Sequence, residues 1–266
     1  ATEREAGLAA LRSAVEAEGE RTKAVLIVYK DLAGEELDAV QGPLAKSRYA
    51  SIRSLPVASL DLRGRDVTSY IASLSAATRK DVRRKLKRTG TVRIERRTRI
   101  DDVADTIEQL YEETRHHSAI HYGDFETLPR DYFRSIARAV RERAEFVLYW
   151  VGEELAAFNL LLLSPDVVID KFLGMRYPLA QAHNLYVVSW IENVRFCLET
   201  GRHRLQSGQT AYAAKLRLGS RLVASSIFAR HRNPLVNRLM HYAAPVAAFD
   251  RWDPDLRQLA ARVRAV

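Results

Sequence analysis

The segment from Gln206 to Gly219 carries the most concentrated set of residues that could do chemistry. It joins a strand end, a glycine turn and the start of a helix. Gln209, Tyr212 and Lys215 recur every three residues, so their side chains are predicted to occupy neighbouring positions of one helix. Backbone N–H groups at a helix start attract anions. Gln209 and Tyr212 are predicted to be catalytic residues, and the Tyr212 hydroxyl could stabilise an oxyanion. The alternative is an ordinary strand-to-helix connection with a solvated lysine.

A second candidate is the acidic and basic pair Asp170-Lys171, which lies inside the apolar run Val167–Phe172. A buried charge is unfavourable unless an ion pair or hydrogen bonds compensate for the loss of water. Two charged residues in an apolar strand therefore indicate a specific role. In a catalytic interpretation, Asp170 removes a proton from an attacking amine, and Lys171 pairs with it or with the donor of the transferred group. In the other interpretation, the two side chains point to opposite faces of the sheet and each has its own partner.

A glutamate, three histidines and a tyrosine cluster around the predicted end of a helix and the loop after it, namely Glu113, His116, His117, His121 and Tyr122. His117 and His121 have the i, i+4 spacing of a metal pair, but no third ligand is evident, so we expect no metal site. The remaining alternatives are a contact with a substrate and a solvated helix end.

Basic residues are densest between Arg79 and Arg99, and the chain as a whole carries a net charge of +9. Such a charge attracts polyanions, including RNA, a nucleotide or an anionic surface. Arg79, Arg83, Arg84 and Lys87 are therefore predicted to bind nucleic acid, or else to form a solvated helix face. No aromatic residue stands between Thr78 and Ile100, so stacking on single-stranded bases is not expected.

Composition limits the class of protein. Hydrophobic residues make up 47% of the 266 residues, which is enough for a substantial core. The longest apolar stretch has about ten residues, whereas a membrane-spanning helix needs roughly 20. The one cysteine, Cys197, excludes a disulfide framework, and it is expected to be a core residue rather than a nucleophile. A cytoplasmic location is predicted. The start at Ala1 suggests a trimmed chain. The sequence does not decide between a monomer and a dimer.

The order of the elements predicts an α/β (α+β) fold. Two helix–strand pairs precede residue 60, and a long helix is predicted from Tyr70 to Arg88. From Ser75 onward the pattern is helix, strand, helix, helix, three strands, helix, strand, helix, strand, with a tight hairpin at Gly152. An antiparallel meander that leads into alternating strands and helices predicts a mixed sheet with helices on both faces.

Several of these motifs resemble the FemAB-like branch of the GNAT acyltransferase superfamily, which contains peptidoglycan aminoacyltransferases and predicted N-acyltransferases. The spaced Tyr212, Lys215 and Gly219 are similar to the branch's C-terminal motif, together with the upstream runs Asp170–Met175 and Asn184–Tyr186. The basic helix is similar to the arginine-rich helix that opens these domains. The resemblance covers roughly Ser75 to Arg230 and is stronger for fold than for substrate.

This resemblance implies a GNAT-like core at 65–233, preceded by a partial GNAT-like lobe at 1–64 and followed by a helical extension at 234–266. It implies an enzyme that transfers an acyl or aminoacyl group to a primary amine. The donor would be an acyl-thioester, on CoA or an acyl-carrier protein, or an aminoacyl-tRNA, with no tightly bound cofactor. The implied substrate-binding residues are Lys215, which would contact a phosphate, and Gln206, Asn184, Tyr186, His117 and Tyr122.

Two departures from the family pattern bear on the donor. The chain lacks the long helical hairpin that some tRNA-dependent members carry, which argues against tRNA. It also lacks the glycine-rich loop that holds the pyrophosphate of acetyl-CoA, because Arg176–Asn184 contains no glycine. A rival hypothesis is a non-catalytic GNAT-fold module that binds RNA or another polyanion through its basic helix.

Overall fold

The computed structural model describes residues 3–87, 91–117, 127–248, 253 and 256–257. The chain forms two compact units that are interleaved along the sequence. Unit 1 contains Ala1–Ala58, Gln209–Leu216 and Arg221–Val266, and unit 2 contains Ser59–Gly208 and Arg217–Ser220. These are spatial units, so the sequential division at residues 64 and 233 stays a prediction.

Unit 1 is built on strands that come from both ends of the chain. Its elements are α1 (Glu3–Arg21), β1 (Leu26–Ala33), α2 (Gly34–Lys46), β2 (Ala50–Asp61, in this unit through Ala58), β8 (Arg221–His231) and α10 (Pro234–Ala243). β8 lies between β1 and β2 and pairs antiparallel with β1. Leu44, Tyr49 and Phe228 form the centre of its core.

Unit 2 contains most of the helices and a five-stranded sheet. Its elements are α3 (Val67–Ser73), α4 (Ala76–Lys87), β3 (Val92–Arg97), α5 (Ala104–His117), α6 (Tyr132–Val140), β4 (Ala144–Val151), β5 (Glu154–Leu163), β6 (Val167–Met175), α7 (Tyr177–Ala182), α8 (Leu185–Glu199) and β7 (Arg204–Ser207). The strand order is β7-β6-β5-β4-β3. β3 to β6 are antiparallel and β7 is parallel to β6, so the predicted mixed sheet is confirmed.

Helices cover both faces of the unit 2 sheet, as predicted. Along β4, Val147 and Tyr149 pack on the side of α3, α4 and α8. The intervening Phe146 and Leu148 pack on the side of α5 and α6. This alternation follows from the two-residue repeat of a strand and explains why β4 and β5 are apolar at almost every position. Gly152, at a φ of 58°, makes the predicted hairpin turn between them.

The long helix predicted from Tyr70 to Arg88 is in fact two helices, α3 and α4. Asp66 starts α3 early, because its carboxylate and the Ser69 hydroxyl form a reciprocal capping box. A second helix, α4, begins after Ser75. The Ser75 hydroxyl donates a hydrogen bond to the Thr78 hydroxyl and accepts one from the Thr78 backbone N–H. Local side-chain caps therefore divide a segment whose apolar spacing alone reads as continuous.

The short helix α9 (Tyr212–Arg217) belongs to unit 1 through Leu216 and to unit 2 at Arg217. Residues Arg217–Ser220 return the chain to unit 2, where the carbonyl of Leu218 accepts a hydrogen bond from Tyr70. The Tyr70 hydroxyl also accepts from Trp190 Nε1 at 2.8 Å. This buried network joins α3, α8 and the segment after α9.

Candidate active site

The end of the parallel strand pair β6–β7 is the place in unit 2 where the topology favours a ligand site. The register pairs Val167–Asp170 with Arg204–Ser207, and β6 continues to Met175 whereas β7 ends at Ser207. In α/β sheets, ligands bind beyond the carboxyl ends of parallel strands, where neighbouring strands separate. Asp170 and its register partner Ser207 lie at this point.

β6 contains a β-bulge at its two charged residues, Asp170 and Lys171. β5 pairs Leu161 with Asp170 but Leu160 with Phe172, so Lys171 is the extra residue. Phe172 therefore packs with α5 and α6, while Val168 and Leu173 pack on the α8 side. Lys171 is exposed, and its Nζ lies 5.5 Å from the centroid of the Phe172 ring. Bulges of this kind are common beside active sites, where they redirect a side chain.

Asp170 is held by an amide from the neighbouring strand. Asn159 Nδ2 donates a hydrogen bond of 2.9 Å to Asp170 Oδ1, and Asn159 is fully buried. Asn159 is a site residue that the sequence-based predictions above do not include. The signal was present, because Asn159 is the only polar residue between Leu155 and Leu163.

Several buried polar atoms surround this carboxylate. The hydroxyls of Tyr149, Tyr186 and Ser207 and the side-chain oxygen of Asn159 have no hydrogen-bond partner among the described residues. Buried polar groups are normally hydrogen-bonded, so a set of them around one carboxylate is typical of a site that takes the polar groups of a ligand or water. Unit 2 therefore contains a cluster of buried polar groups around Asp170.

The two tyrosines of this cluster, Tyr149 and Tyr186, stay protonated. Burial raises the pKa of Tyr186, and the negative charge of Asp170 raises it further, while Arg217 acts in the opposite direction. Burial also raises the pKa of Tyr149 well above its usual range, and the charges of Glu192 and Asp170 add to this effect. Both hydroxyls therefore keep their protons at neutral pH and can donate hydrogen bonds. The Asp170 carboxylate near them can only accept hydrogen bonds.

Polar residues of α5 and α7 lie around the end of β6. The backbone N–H of Met175 donates to Thr114 Oγ1 at 2.8 Å, which anchors α5 beside the strand. His117 stacks on Tyr177, with ring centroids 3.6 Å apart. His117 thus lies one turn after the residue that anchors α5 to β6, and its contact with a substrate stays a prediction. Tyr122 and His121 lie outside the described residues.

Arg176, which follows β6 directly, is engaged by carboxylates. Its guanidinium pairs with Glu154 and lies 3.5 Å from Glu113. The glycine-free loop then forms the short helix α7, and the backbone N–H groups of Ala180 and His183 bond within it, to Arg176 and Leu179. These donors are consequently used by the chain itself and do not form a cradle for a pyrophosphate.

Asn184 and Gln206 take different places in unit 2. Asn184 precedes α8 in a left-handed conformation, with a φ of 53°, and makes no side-chain capping bond. Tyr186 follows in the first turn of the same helix. Gln206 pairs with Ile169 and, because strand side chains alternate, points to the face opposite Ser207 and Asp170.

Gln209, Tyr212 and Lys215 belong to unit 1, whereas Asp170 and Lys171 belong to unit 2. Gln209 Nε2 donates to the carbonyl of Leu55 at 2.8 Å and to Asp31 at 3.2 Å. The fully buried Tyr212 donates to the carbonyl of Pro56 at 2.8 Å, and Lys215 is 8% exposed. These bonds give Gln209 and Tyr212 a packing role along β2, and their catalytic roles stay predictions.

The basic residues of α4 divide into two groups. Arg79 donates to the carbonyls of Ala72 and Leu74 and thereby caps α3. Lys80, Arg83, Arg84 and Lys87 are exposed and recur at the spacing of one helix face. Arg84 also pairs with Asp81 at 2.6 Å. The proposed nucleic-acid contact thus reduces to the exposed face of α4, and Arg79 has a structural partner.

Two further searches concern only the part of the chain that the structure describes. It contains no group of three or more His, Cys, Asp or Glu side chains arranged to hold a metal ion. Among the same residues, no helix is both long enough and apolar enough to cross a membrane.

The fold is similar to that of several solved proteins. FemX superposes with a TM-score of 0.66 at 14% identity, covering 89% of this chain and 79% of that one. The C-terminal domain of a putative lysylphosphatidylglycerol synthetase from Agrobacterium fabrum gives 0.56 at 14% identity, covering 86% and 74%. A tandem GNAT protein from the clavulanic acid biosynthesis pathway gives 0.51 at 12% identity, covering 88% and 72%. At these identities the likeness is one of fold.

The sequence comparisons agree with this fold. No curated protein matches the chain. The family model described as "Acetyltransferase (GNAT) domain" matches residues 76–216. This range includes β3 to β7, Asp170 and most of α9. The predicted resemblance is thereby confirmed at the level of the GNAT superfamily. Since the matched range is more than half of the sequence, the chain belongs to the acetyltransferase (GNAT) domain family.

Proposed function

We propose that the chain is an N-acyltransferase that moves an acyl or aminoacyl group from an activated donor to a primary amine, with Asp170 as its general base. The family and the fold support acyl transfer in general. The observation that carries the proposal is the position of Asp170, at the end of the β6–β7 pair and hydrogen-bonded to buried Asn159. Around it are polar atoms that a ligand can satisfy.

In the proposed reaction, the lone pair of the amine nitrogen forms a C–N bond with the acyl carbon, and the carbonyl π electrons move onto oxygen. The C=O bond then re-forms as the bond to the leaving sulfur or ribose oxygen breaks. Asp170 takes the amine proton, directly or through one water, and the proton finally neutralises the leaving group. A correctly placed general base contributes roughly 10²–10⁴ to the rate of such a step.

Neighbouring residues complete the site by positioning and hydrogen bonding. The Asn159 amide donates a hydrogen bond to Asp170 Oδ1 and so helps to orient the carboxylate that we assign to the amine. The Tyr186 hydroxyl, which stays protonated, is the donor that we assign to the developing oxyanion or to the leaving group. Lys171, on the exposed side of the bulge, is available for a negatively charged part of the donor.

The donor is proposed to be a thioester or an aminoacyl ester held without the glycine loop of acetyl-CoA enzymes. Arg176–Asn184 contains no glycine, and the α7 backbone donors Ala180 and His183 are used within the loop. A donor phosphate must therefore be bound by side chains, and Lys215 is the residue that we propose on the basis of the family motif. The substrate contacts of Gln206, Asn184, His117 and Tyr122 belong to the same proposal.

A second candidate function is non-catalytic binding of RNA through the exposed face of α4. The observation that favours it is the alignment of Lys80, Arg83, Arg84 and Lys87 on one helix face. It predicts salt-dependent RNA binding that Arg83→Gln and Lys87→Gln weaken and that Asp170→Asn leaves unchanged.

The two functions are separated by offering the purified protein labelled acyl-CoA, acyl-carrier-protein and aminoacyl-tRNA donors with a panel of primary amines. We expect one donor class to give an amide product that resists hydroxylamine, which cleaves residual thioesters and esters. If no donor acylates any amine while RNA binds with the α4 dependence described above, the catalytic proposal is wrong and the second candidate takes its place.

A further inference from the structure

In the helix α10 of unit 1, apolar side chains face the solvent and a polar side chain, Asn237, faces the interior, which is the reverse of the usual arrangement. Leu235, Leu239 and Tyr242 recur at i, i+4 and i+7 of α10, and Val246 follows in the turn after the helix; the four residues are 77, 66, 69 and 66% exposed. We refer to these four residues as the α10 stripe. A surface helix ordinarily turns its apolar face to the core and its polar face to water. The stripe is consequently an exposed apolar surface, and exposed apolar patches often mark sites of interaction.

The inner face of α10 is held by polar contacts instead. Asn237, which is 8% exposed, accepts from the backbone N–H of His231 and donates to the carbonyl of Arg48. His241 Nε2 lies 3.2 Å from the same carbonyl. Asn233 caps the start of the helix by accepting from the N–H groups of Leu235 and Val236. These bonds fix the rotation of α10, so the stripe faces outward as a consequence of the fold.

The apolar surface continues beyond the helix. The backbone N–H of Arg232 donates to the carbonyl of Val25 at 2.9 Å, which places Val25 beside the start of α10. Val25 is 63% exposed. A residue that is distant in sequence thus adds to the same side of unit 1.

The charge around the stripe is positive. Arg232 and Arg238 are exposed and line, with Arg48 and His241, a groove of about 1170 Å³ next to α10. The groove also contains Glu16 and Glu20, and Glu16 is paired with Arg230 at 3.3 Å. The sequence from 200 to 249 contains no acidic residue.

We infer that this side of unit 1 docks on an anionic lipid bilayer. The stripe would enter the boundary between headgroups and acyl chains, with Tyr242 at the interface, and Arg232, Arg238 and Arg48 would meet lipid phosphates. An exposed apolar face flanked by arginines is the pattern of helices that lie in the plane of a membrane surface. Each basic residue near an anionic surface adds about a fivefold gain in binding, because it is worth roughly 1 kcal/mol.

A second copy of the chain fits this surface less well. A symmetric pair would place the same patch of both copies face to face. Arg232 and Arg238 of each copy would then lie near those of the other, without acidic residues of α10 to balance them. An anionic bilayer supplies both the apolar layer and the opposite charge.

The test is flotation of the full chain with phosphatidylcholine vesicles that contain or lack phosphatidylglycerol. We expect binding that needs the anionic lipid and that weakens with salt. Leu239→Glu should lower the partition coefficient at least about tenfold, because it removes buried apolar area and adds a repelled charge. Leu11→Glu, at a 57% exposed position of α1, is the matched control and should leave binding unchanged.

The charge contribution has its own pair of variants. Arg232→Gln with Arg238→Gln should lower partitioning about 25-fold, at fivefold for each arginine. Arg141→Gln with Arg143→Gln, which removes the same charge from exposed positions of unit 2, is the control. Equal binding to both kinds of vesicle, binding that Leu239→Glu leaves unchanged, or a dimer in vesicle-free solution that Leu239→Glu dissociates would each overturn the proposal.

Discussion

Asn159 donates a 2.9 Å hydrogen bond to Asp170, and the two residues come from neighbouring strands at the point where β6 and β7 separate. The bond fixes the direction of the carboxylate beside the hydroxyls of Tyr149, Tyr186 and Ser207, which have no hydrogen-bond partner among the described residues. Asn159 is therefore a positioning residue in this account, and Asp170 is the residue that touches the reacting amine.

Asn159→Leu should lower kcat about tenfold and change KM less, because the substitution disturbs the base without removing a substrate contact. It should also lower the free energy of unfolding by roughly 1–3 kcal/mol, since Asp170 Oδ1 loses a buried donor. Steady-state kinetics and urea unfolding measure the two effects. A variant that is destabilised yet retains its full kcat would show that the bond serves stability alone.

Tyr186→Phe should reduce kcat roughly tenfold or more while leaving the free energy of unfolding unchanged or slightly higher. The reason is that the Tyr186 hydroxyl is buried without a partner among the described residues, so its removal costs the fold no hydrogen bond. Tyr132→Phe, on the α5 and α6 side of the sheet, is the control and should retain its activity. Equal activity of both variants would remove Tyr186 from the site.

Gly174→Ala should destabilise the protein by roughly 1–3 kcal/mol, because β6 passes close to α5 at this position. An added Cβ would overlap the Phe158 ring and lie 2.9 Å from the carbonyl carbon of Leu110. Gly7→Ala is the contrasting control, since its Cβ meets nothing within 4 Å in α1 and should stabilise that helix by up to about 1 kcal/mol. Chemical denaturation of the two variants should give effects of opposite sign.

The buried network of Tyr70 predicts a pH dependence of stability. Burial raises the pKa of Tyr70 to about 12, whereas an unfolded tyrosine titrates near 10. The folded chain thus holds the proton more tightly, so this contribution is complete below about pH 10 and is lost as the pH rises toward 12.

The comparison of wild type with Tyr70→Phe isolates that contribution. At neutral pH the variant should be roughly 1–3 kcal/mol less stable, because Trp190 Nε1 and the Leu218 carbonyl lose their partner. The difference should narrow between about pH 10 and pH 12. A difference that stays constant over this range would contradict the assignment of a raised pKa to Tyr70.

Much of the fold follows from short-range pattern. The apolar runs of β4 and β5, the hairpin at Gly152 and the mixed sheet were all readable in the sequence, because burial on two faces leaves a nearly continuous apolar signature. The division of α3 from α4 was missed, since it depends on the side chains of Asp66 and Ser75 rather than on apolar spacing.

The site was predictable only in part. Asp170 stood out as a charge in an apolar run, but the bulge at Lys171 is a property of pairing with β5 and has no local signal. The bonds of Gln209 and Tyr212 reach carbonyls of β2 more than 150 residues away in sequence, at Leu55 and Pro56. Asn159 breaks the apolar stretch Leu155–Leu163 in the sequence, but its hydrogen bond to Asp170 depends on the register of β5 and β6.

The central claim is that Asp170 removes the amine proton, and the most direct measurement is the single-turnover rate of amide formation by Asp170→Asn. The substitution retains the size of the side chain and its place beside Asn159 but removes the base. Asp166→Asn, at an exposed position before β6, makes the same change of charge and is the control. We expect Asp170→Asn to slow the step about a hundredfold or more, with Asp166→Asn close to wild type. Equal rates for Asp170→Asn and wild type would contradict the account.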